Sequence, residues 1–94
     1  MKKTISILGL KVPLKFFDDT RDEEKMLMGY MSKMPFEIYI NKDLPKKDQE
    51  HTYAHECCHV ILARVGLDQV LSKEVQEVIC ESFGTFMYEN MKFK

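Results

Sequence analysis

The 94-residue chain predicts an α+β fold, with a β-sheet in the N-terminal half followed by two long helices. Three observations predict it. Apolar and polar residues alternate in the stretches before Ile40, the period of a half-buried strand. From Pro45 the pattern becomes that of a helix face. Inside that helical stretch, His55-Glu56-Cys57-Cys58-His59 spells an H-E-x-x-H pentad.

The elements follow in order. Met1 to Lys3 and the apolar run Ile5 to Leu10 imitate a signal peptide, but Lys11 ends the run and no small-residue cleavage site follows, so a strand is expected there. Leu10, Val12, Leu14 and Phe16 alternate with Lys11, Pro13 and Lys15 in a second strand. Pro13 lacks the N–H that a ladder needs, which predicts an edge position for that strand. Asp18 to Lys25 is a charged connection. Met26 to Tyr30 and Phe36 to Ile40 form two further strands joined through Met31 to Pro35, with Phe36, Ile38 and Ile40 on one face and Glu37 and Tyr39 on the other. The whole sheet is expected to be antiparallel and to pack on both helices.

A helix from Pro45 to Val65 is predicted by the proline in its first turn, by Asp48 and Glu50 near its positive end, and by Arg64 and Gly66 at its close. Ser72 caps a second helix, whose buried stripe is expected to be Val75, Ile79, Phe83 and Phe86. Residues 1–94 therefore form a single domain.

With 45% hydrophobic residues, 31% charged residues and a net charge of -1, the composition is that of a soluble globular protein and gives no sign of nucleic-acid or membrane partners. No apolar run approaches the roughly 20 residues of a membrane span. Three cysteines, two of them adjacent on one helix, fit a reducing cytoplasm better than a disulfide framework.

Four residues advance a helix by about 400°, so His55 and His59 stand one above the other and can grip one metal ion. Glu56 projects to the side, close enough to hydrogen-bond a water on that ion without ligating it. A catalytic site needs a third ligand. The second helix offers Glu74, Glu77 and Glu81 on one face, with Glu77 at the centre. Seventeen residues lie between His59 and Glu77, enough for a turn and a return beside the first helix. Cys80 and Gly84 lie near Glu77 and are small enough to admit a close helix contact.

From about Gly29 to Asn90 the sequence resembles the gluzincin-type metallopeptidases, in particular compact ImmA/IrrE-like and phage-encoded members. The resemblance covers Phe36 to Asn41, Thr52 to His59, and Glu77 to Gly84, the last of which is similar to the family's E-x-x-A-[ND]-x-F-A segment. It implies a small zincin-like domain in which Glu77 completes a zinc site with His55 and His59. Glu56 is then the general base for peptide hydrolysis, and Glu81 stands where the family has a short polar residue that orients a histidine ligand. Cys80 and Glu81 depart from the family's Ala and Asn/Asp. The resemblance further implies a peptide or protein substrate, transcriptional repressors being one class among relatives, bound as an added strand along Phe36 to Ile40. Tyr53, Tyr88 and His51 are each conceivable oxyanion stabilisers.

The competing expectation is a metal-stabilised binding module with a zincin-like fold that cleaves nothing, its ion closed by a fourth protein ligand such as Glu81, Cys58 or His51. Otherwise His51 is expected to be solvated, and the cysteines and seven methionines to fill the core.

Overall fold

The computed structural model describes residues 3–19 and 26–91. Four strands come first: β1 (Thr4–Ile7), β2 (Leu10–Phe17), β3 (Gly29–Ser32) and β4 (Glu37–Asn41). Helix α1 (Lys46–Arg64), a 3-10 turn (Leu67–Gln69) and helix α2 (Lys73–Asn90) complete an α+β architecture. Most of the charged connection lies outside the described residues. Among the described residues no helix is long and apolar enough to cross a membrane.

The run Ile5 to Leu10 is not one strand. Leu8 and Gly9 both take positive φ, 50° and 82°, and turn β1 back onto β2 as a two-residue hairpin. The sheet order is β1-β2-β4-β3, with β1/β2 and β3/β4 antiparallel but β2/β4 parallel. The sheet is therefore mixed, a correction to the antiparallel expectation. After β2 the chain crosses to the far edge, builds β3, and returns on β4 beside and parallel to β2.

Strand β2 is interior, contrary to the position that Pro13 predicts. The rule holds locally, because pairing with β4 starts only at Leu14, opposite Ile38. Leu14 N–H donates to Lys3 C=O on the β1 side, so the nitrogen of Pro13 faces the other way, where no strand has yet begun.

Strand β3 lies three residues later than its predicted start. Asn41, fully buried at the end of β4, fixes what precedes it. Its Nδ2 donates to the carbonyls of Asp19 (3.2 Å) and Leu27 (3.1 Å), and its Oδ1 accepts from the Asp43 N–H (2.9 Å). A buried amide with these bonds satisfied holds both ends of the connection to the last turn before α1.

Ile7, Val12, Leu14, Ile38 and Ile40 form the inner face of the sheet and pack on Tyr53, Cys57 and Val60 of α1. On the outer face Tyr30 stacks on Tyr39, centroids 4.6 Å apart, with Phe17 alongside. Helix α1 begins after Pro45, carries Asp48 in its first turn and Arg64 in its last, and gives way to Gly66 at φ 81°. It is the main cover of the sheet, while α2 packs chiefly on α1. The expectation that both helices lie on the sheet is thus corrected.

The α2 stripe is also corrected. Val75, Ile79 and Phe86 are 45%, 38% and 59% exposed; Phe83 of the expected stripe does turn inward, where it joins Gln76, Cys80, Gly84 and Met87 on the face against α1. The helix is turned by about a quarter-turn from its most hydrophobic orientation. The reason is steric. A Cβ on Gly84 would sit 3.1 Å from His55 N and 3.2 Å from His55 Cα, so only the small-residue face can approach α1 this closely.

Candidate metal centre

Helix α1 has three working faces. One meets the sheet, one meets α2 through Cys58 and Leu62, and the third carries His51, His55 and His59. The quarter-turn of α2 aims Glu77 and Glu81 at that third face.

His55 Nε2 and His59 Nε2 lie 3.2 Å apart. Glu77 Oε2 is 3.2 Å from His55 Nε2, and its Oε1 is 3.0 Å from His59 Nε2. Around an ion with bonds of about 2.0–2.1 Å, tetrahedral geometry sets ligand atoms about 3.3–3.4 Å apart. The two histidine nitrogens are close to one edge of such a tetrahedron, and with one ligand atom from each residue within 4.8 Å of the others, His55, His59 and Glu77 could hold a metal ion. They are also a chemically suitable set: two imidazoles and one carboxylate, the histidines nearly buried and the glutamate open to solvent.

Glu81 lies on the other side of His55, its Oε2 3.0 Å from Nδ1. Nδ1–H donating to that carboxylate leaves the Nε2 lone pair free to point at the ion position. The second carboxylate oxygen lies 3.5 Å from His51 Nε2, which in turn sits 3.1 Å from Thr85 Oγ1. Glu81 thus orients a histidine and is not itself in the cluster. His51 is a bonded member of this arrangement, which differs from the solvated role expected for it.

Burial lowers the pKa of His59, favouring the neutral ring that a metal requires. Glu56 faces the same cavity as His55 and is only 9% exposed. Burial pushes its carboxyl up to about 7, with His55 opposing and Glu77 reinforcing the shift. It lies outside the cluster among the described residues.

Cys58 is turned into the helix interface with Cys80 and Leu62, where burial raises its thiol pKa, so it is a packing residue there. Tyr53 belongs to the core against the sheet and is 2% exposed, which removes it as an oxyanion stabiliser. Tyr88 stands edge-on to His51, ring centroids 5.9 Å apart, at the His55 end of the site.

Two cavities flank the centre. One of about 230 Å³ includes Met28, Gly29, His51, Thr52, Glu56 and Glu81 in its wall. The other, about 410 Å³, opens beyond His59 and is lined by Met31 and Lys33, among others. Strand β3 connects them and is the edge of the sheet. Asn41 N–H donates to Met28 C=O, so by alternation the backbone polar groups of Gly29 and Met31 point away from β4, toward the free edge. The expectation that a substrate would pair with Phe36 to Ile40 is therefore corrected: β4 has β2 on one side and β3 on the other, and the free strand is β3.

Sequence patterning gives β3 no such role, because its only signals are Gly29 and a short apolar run. Gly29 itself could have been noticed. A Cβ there would lie 2.6 Å from Thr52 Cγ2 and 2.8 Å from Tyr39 O, so glycine is what lets the edge strand lie against α1 one turn before the pentad. Comparison with known proteins identifies no relative: no family model, no curated protein and no solved structure matches the chain.

Proposed function

We propose that the protein is a compact gluzincin-type zinc peptidase with a zincin-like fold, cleaving a peptide bond in an extended substrate. The observation that carries this reading is the convergence of His55 Nε2, His59 Nε2 and the Glu77 carboxylate at separations of 3.0–3.2 Å, with Glu56 in the wall of the adjoining cavity. Zinc is favoured by the two-imidazole, one-carboxylate donor set with a position left open, and when bound it supplies Lewis acidity toward water and a carbonyl.

The chain's own residues divide the remaining work. His55, His59 and Glu77 hold the ion, and Glu81 fixes the tautomer and angle of His55. Glu56 takes a proton at its carboxylate and returns it to the leaving amine, a task that suits an acid whose pKa burial has raised to about 7. The outward backbone groups of Gly29 and Met31 pair with the substrate main chain and hold it across the centre.

The test is zinc content and peptide hydrolysis of the purified protein beside Glu77→Ala and Glu56→Gln. The reading expects about one zinc per chain in the wild type and in Glu56→Gln, loss of zinc in Glu77→Ala, and hydrolysis by the wild type alone. Zinc retained with no turnover by the wild type across a diverse peptide pool would instead support the metal-stabilised binding module.

A further inference from the structure

The two ends of the groove carry different charge. At the His55 end the ionisable groups in the wall, besides the two histidines, are Glu56 and Glu81. At the His59 end they are Lys33, Lys73 and Asp68, together with the amides of Gln69 and Gln76. Lys33 and Asp68 are hydrogen-bonded to each other, and that lysine holds the Asp68 carboxyl below its ordinary pKa, so this pair is charged and internally balanced. The Gln76 amide nitrogen is committed to the carbonyls of Asp68 (3.3 Å) and Leu71 (3.0 Å), which fixes the floor of the cavity. Among the described residues of this wall, Lys73, the first residue of α2, is the side-chain cation that the neighbouring ion pair does not balance.

The cavity beyond His59 is the larger of the two, about 410 Å³ against about 230 Å³, and both open under the same free strand edge. A peptide paired with β3 places alternate side chains on the side facing α1, about 7 Å apart. Gly29 and Met31, the outward-bonding residues of β3, line one cavity each. Consecutive inward side chains of a bound strand therefore fall into opposite ends of the groove.

We infer that the cavity beyond His59 is a specificity subsite for an acidic side chain, selected by Lys73 with the Lys33–Asp68 pair as its wall. The inference rests on the peptidase reading for the strand-like pose of the ligand. Its substrate class is a peptide with glutamate or aspartate at the position beside the scissile bond that occupies the His59 side. A basic side chain there meets Lys73 and is disfavoured, while the acidic lining of the His55 end tolerates it.

The experiment uses zinc-loaded protein and two sets of peptide hydroxamates, one extending from the chelating group toward the peptide N-terminus and one toward its C-terminus. Each set carries glutamate, leucine or lysine nearest the chelator. In one of the two sets, glutamate is expected to bind about three- to tenfold more tightly than lysine, the scale of one partly screened ion pair. Lys73→Glu is expected to reverse that ratio and Lys73→Ala to abolish it, while Lys11→Glu, on the far face of the sheet, keeps the wild-type ratio. Hydroxamates that bind with no preference for glutamate in either set, or a ratio unmoved in both Lys73 variants, overturn the subsite and leave the peptidase reading standing. Failure of zinc-loaded protein to bind any hydroxamate overturns the open metal centre, and the subsite with it.

Discussion

Replacing Gly84 by alanine tests the link between helix packing and the metal centre. The added Cβ would lie 3.1 Å from His55 N, 3.2 Å from His55 Cα and 3.4 Å from His55 Cβ. Ordinary contacts between such atoms are about 3.5–4.0 Å, so α2 must retreat by a few tenths of an ångström, because two of the three atoms it meets are backbone. Two effects oppose each other in stability. Alanine in a helix interior gains about 1 kcal/mol over glycine, while overpacking costs about 1–3 kcal/mol. The net effect is a loss of about 0–2 kcal/mol. Metal binding has no such offset. Glu77 and Glu81 ride on the helix that moves, whereas His55 and His59 stay on α1, and ligand distances tolerate only about 0.2 Å of displacement. Zinc affinity is therefore expected to fall about tenfold or more, read by competition with a chromophoric chelator, while urea unfolding of the metal-free protein reports stability. Ser82→Ala, at an exposed position of α2, shows propensity alone. A Gly84→Ala protein that gains the full helix-propensity increment and binds zinc like the wild type would refute the close approach.

Three further outcomes follow from the same geometry. Glu81→Ala removes the partner of His55 Nδ1 and is expected to lower zinc affinity about 10- to 100-fold without abolishing it, which separates an orienting residue from a ligand such as Glu77. In the metal-free protein, the Glu56 carboxyl has its folded pKa raised from 4.5 to about 7, so the stability it contributes is fully present below pH 4.5 and lost as pH rises through about 7. At about 1.4 kcal/mol per unit the loss approaches about 3 kcal/mol, and Glu56→Gln should flatten the difference between melts at pH 5 and pH 8; parallel curves for the two proteins would exclude this origin. Asn41→Leu leaves two carbonyls and one N–H without their partner, and a destabilisation of about 2–4 kcal/mol in denaturant titration is expected, against near-neutrality if water can replace the amide.

Helix α1 and the two histidines were legible because their signals are local. Pro45, Asp48, Arg64 and Gly66 mark the ends, and the spacing of His55 and His59 fixes their relative angle in any α-helix. Glu77 was legible for a related reason: Cys80 and Gly84 identify the side of α2 that can approach another helix. The same two residues defeat a hydrophobicity-based reading of α2, since small side chains contribute little to the apolar pattern yet decide which face goes inward. The sheet was legible only in its alternation. Which strands pair, and in which direction, depends on the path of the connection after Phe17 and on the Asn41 bonds that hold it, and neither leaves a periodic trace. Pro13 states a true constraint, a side without a partner, that applies to four residues of β2 and not to the strand as a whole. The edge position of β3 was hidden because an edge is a property of the assembled sheet.

The metal centre also bears on how α2 is held. The apolar part of the interface between α1 and α2 is built on Cys58, Leu62, Cys80 and Phe83, with Gly84 against the His55 backbone. The most hydrophobic face of α2 is left outside it. Helix α2 also makes polar contacts to the third face of α1. Glu81 supplies such a contact by accepting from His55 Nδ1–H, and Glu77 by its approach to His59 Nε2. On the proposed reading an ion would replace these carboxylate–imidazole pairs with coordination bonds between the same two helices, so metal binding would be coupled to the docking of α2. The close approach of Gly84 to the His55 backbone sets the orientation of α2, and that same orientation brings Glu77 and Glu81 to the histidines.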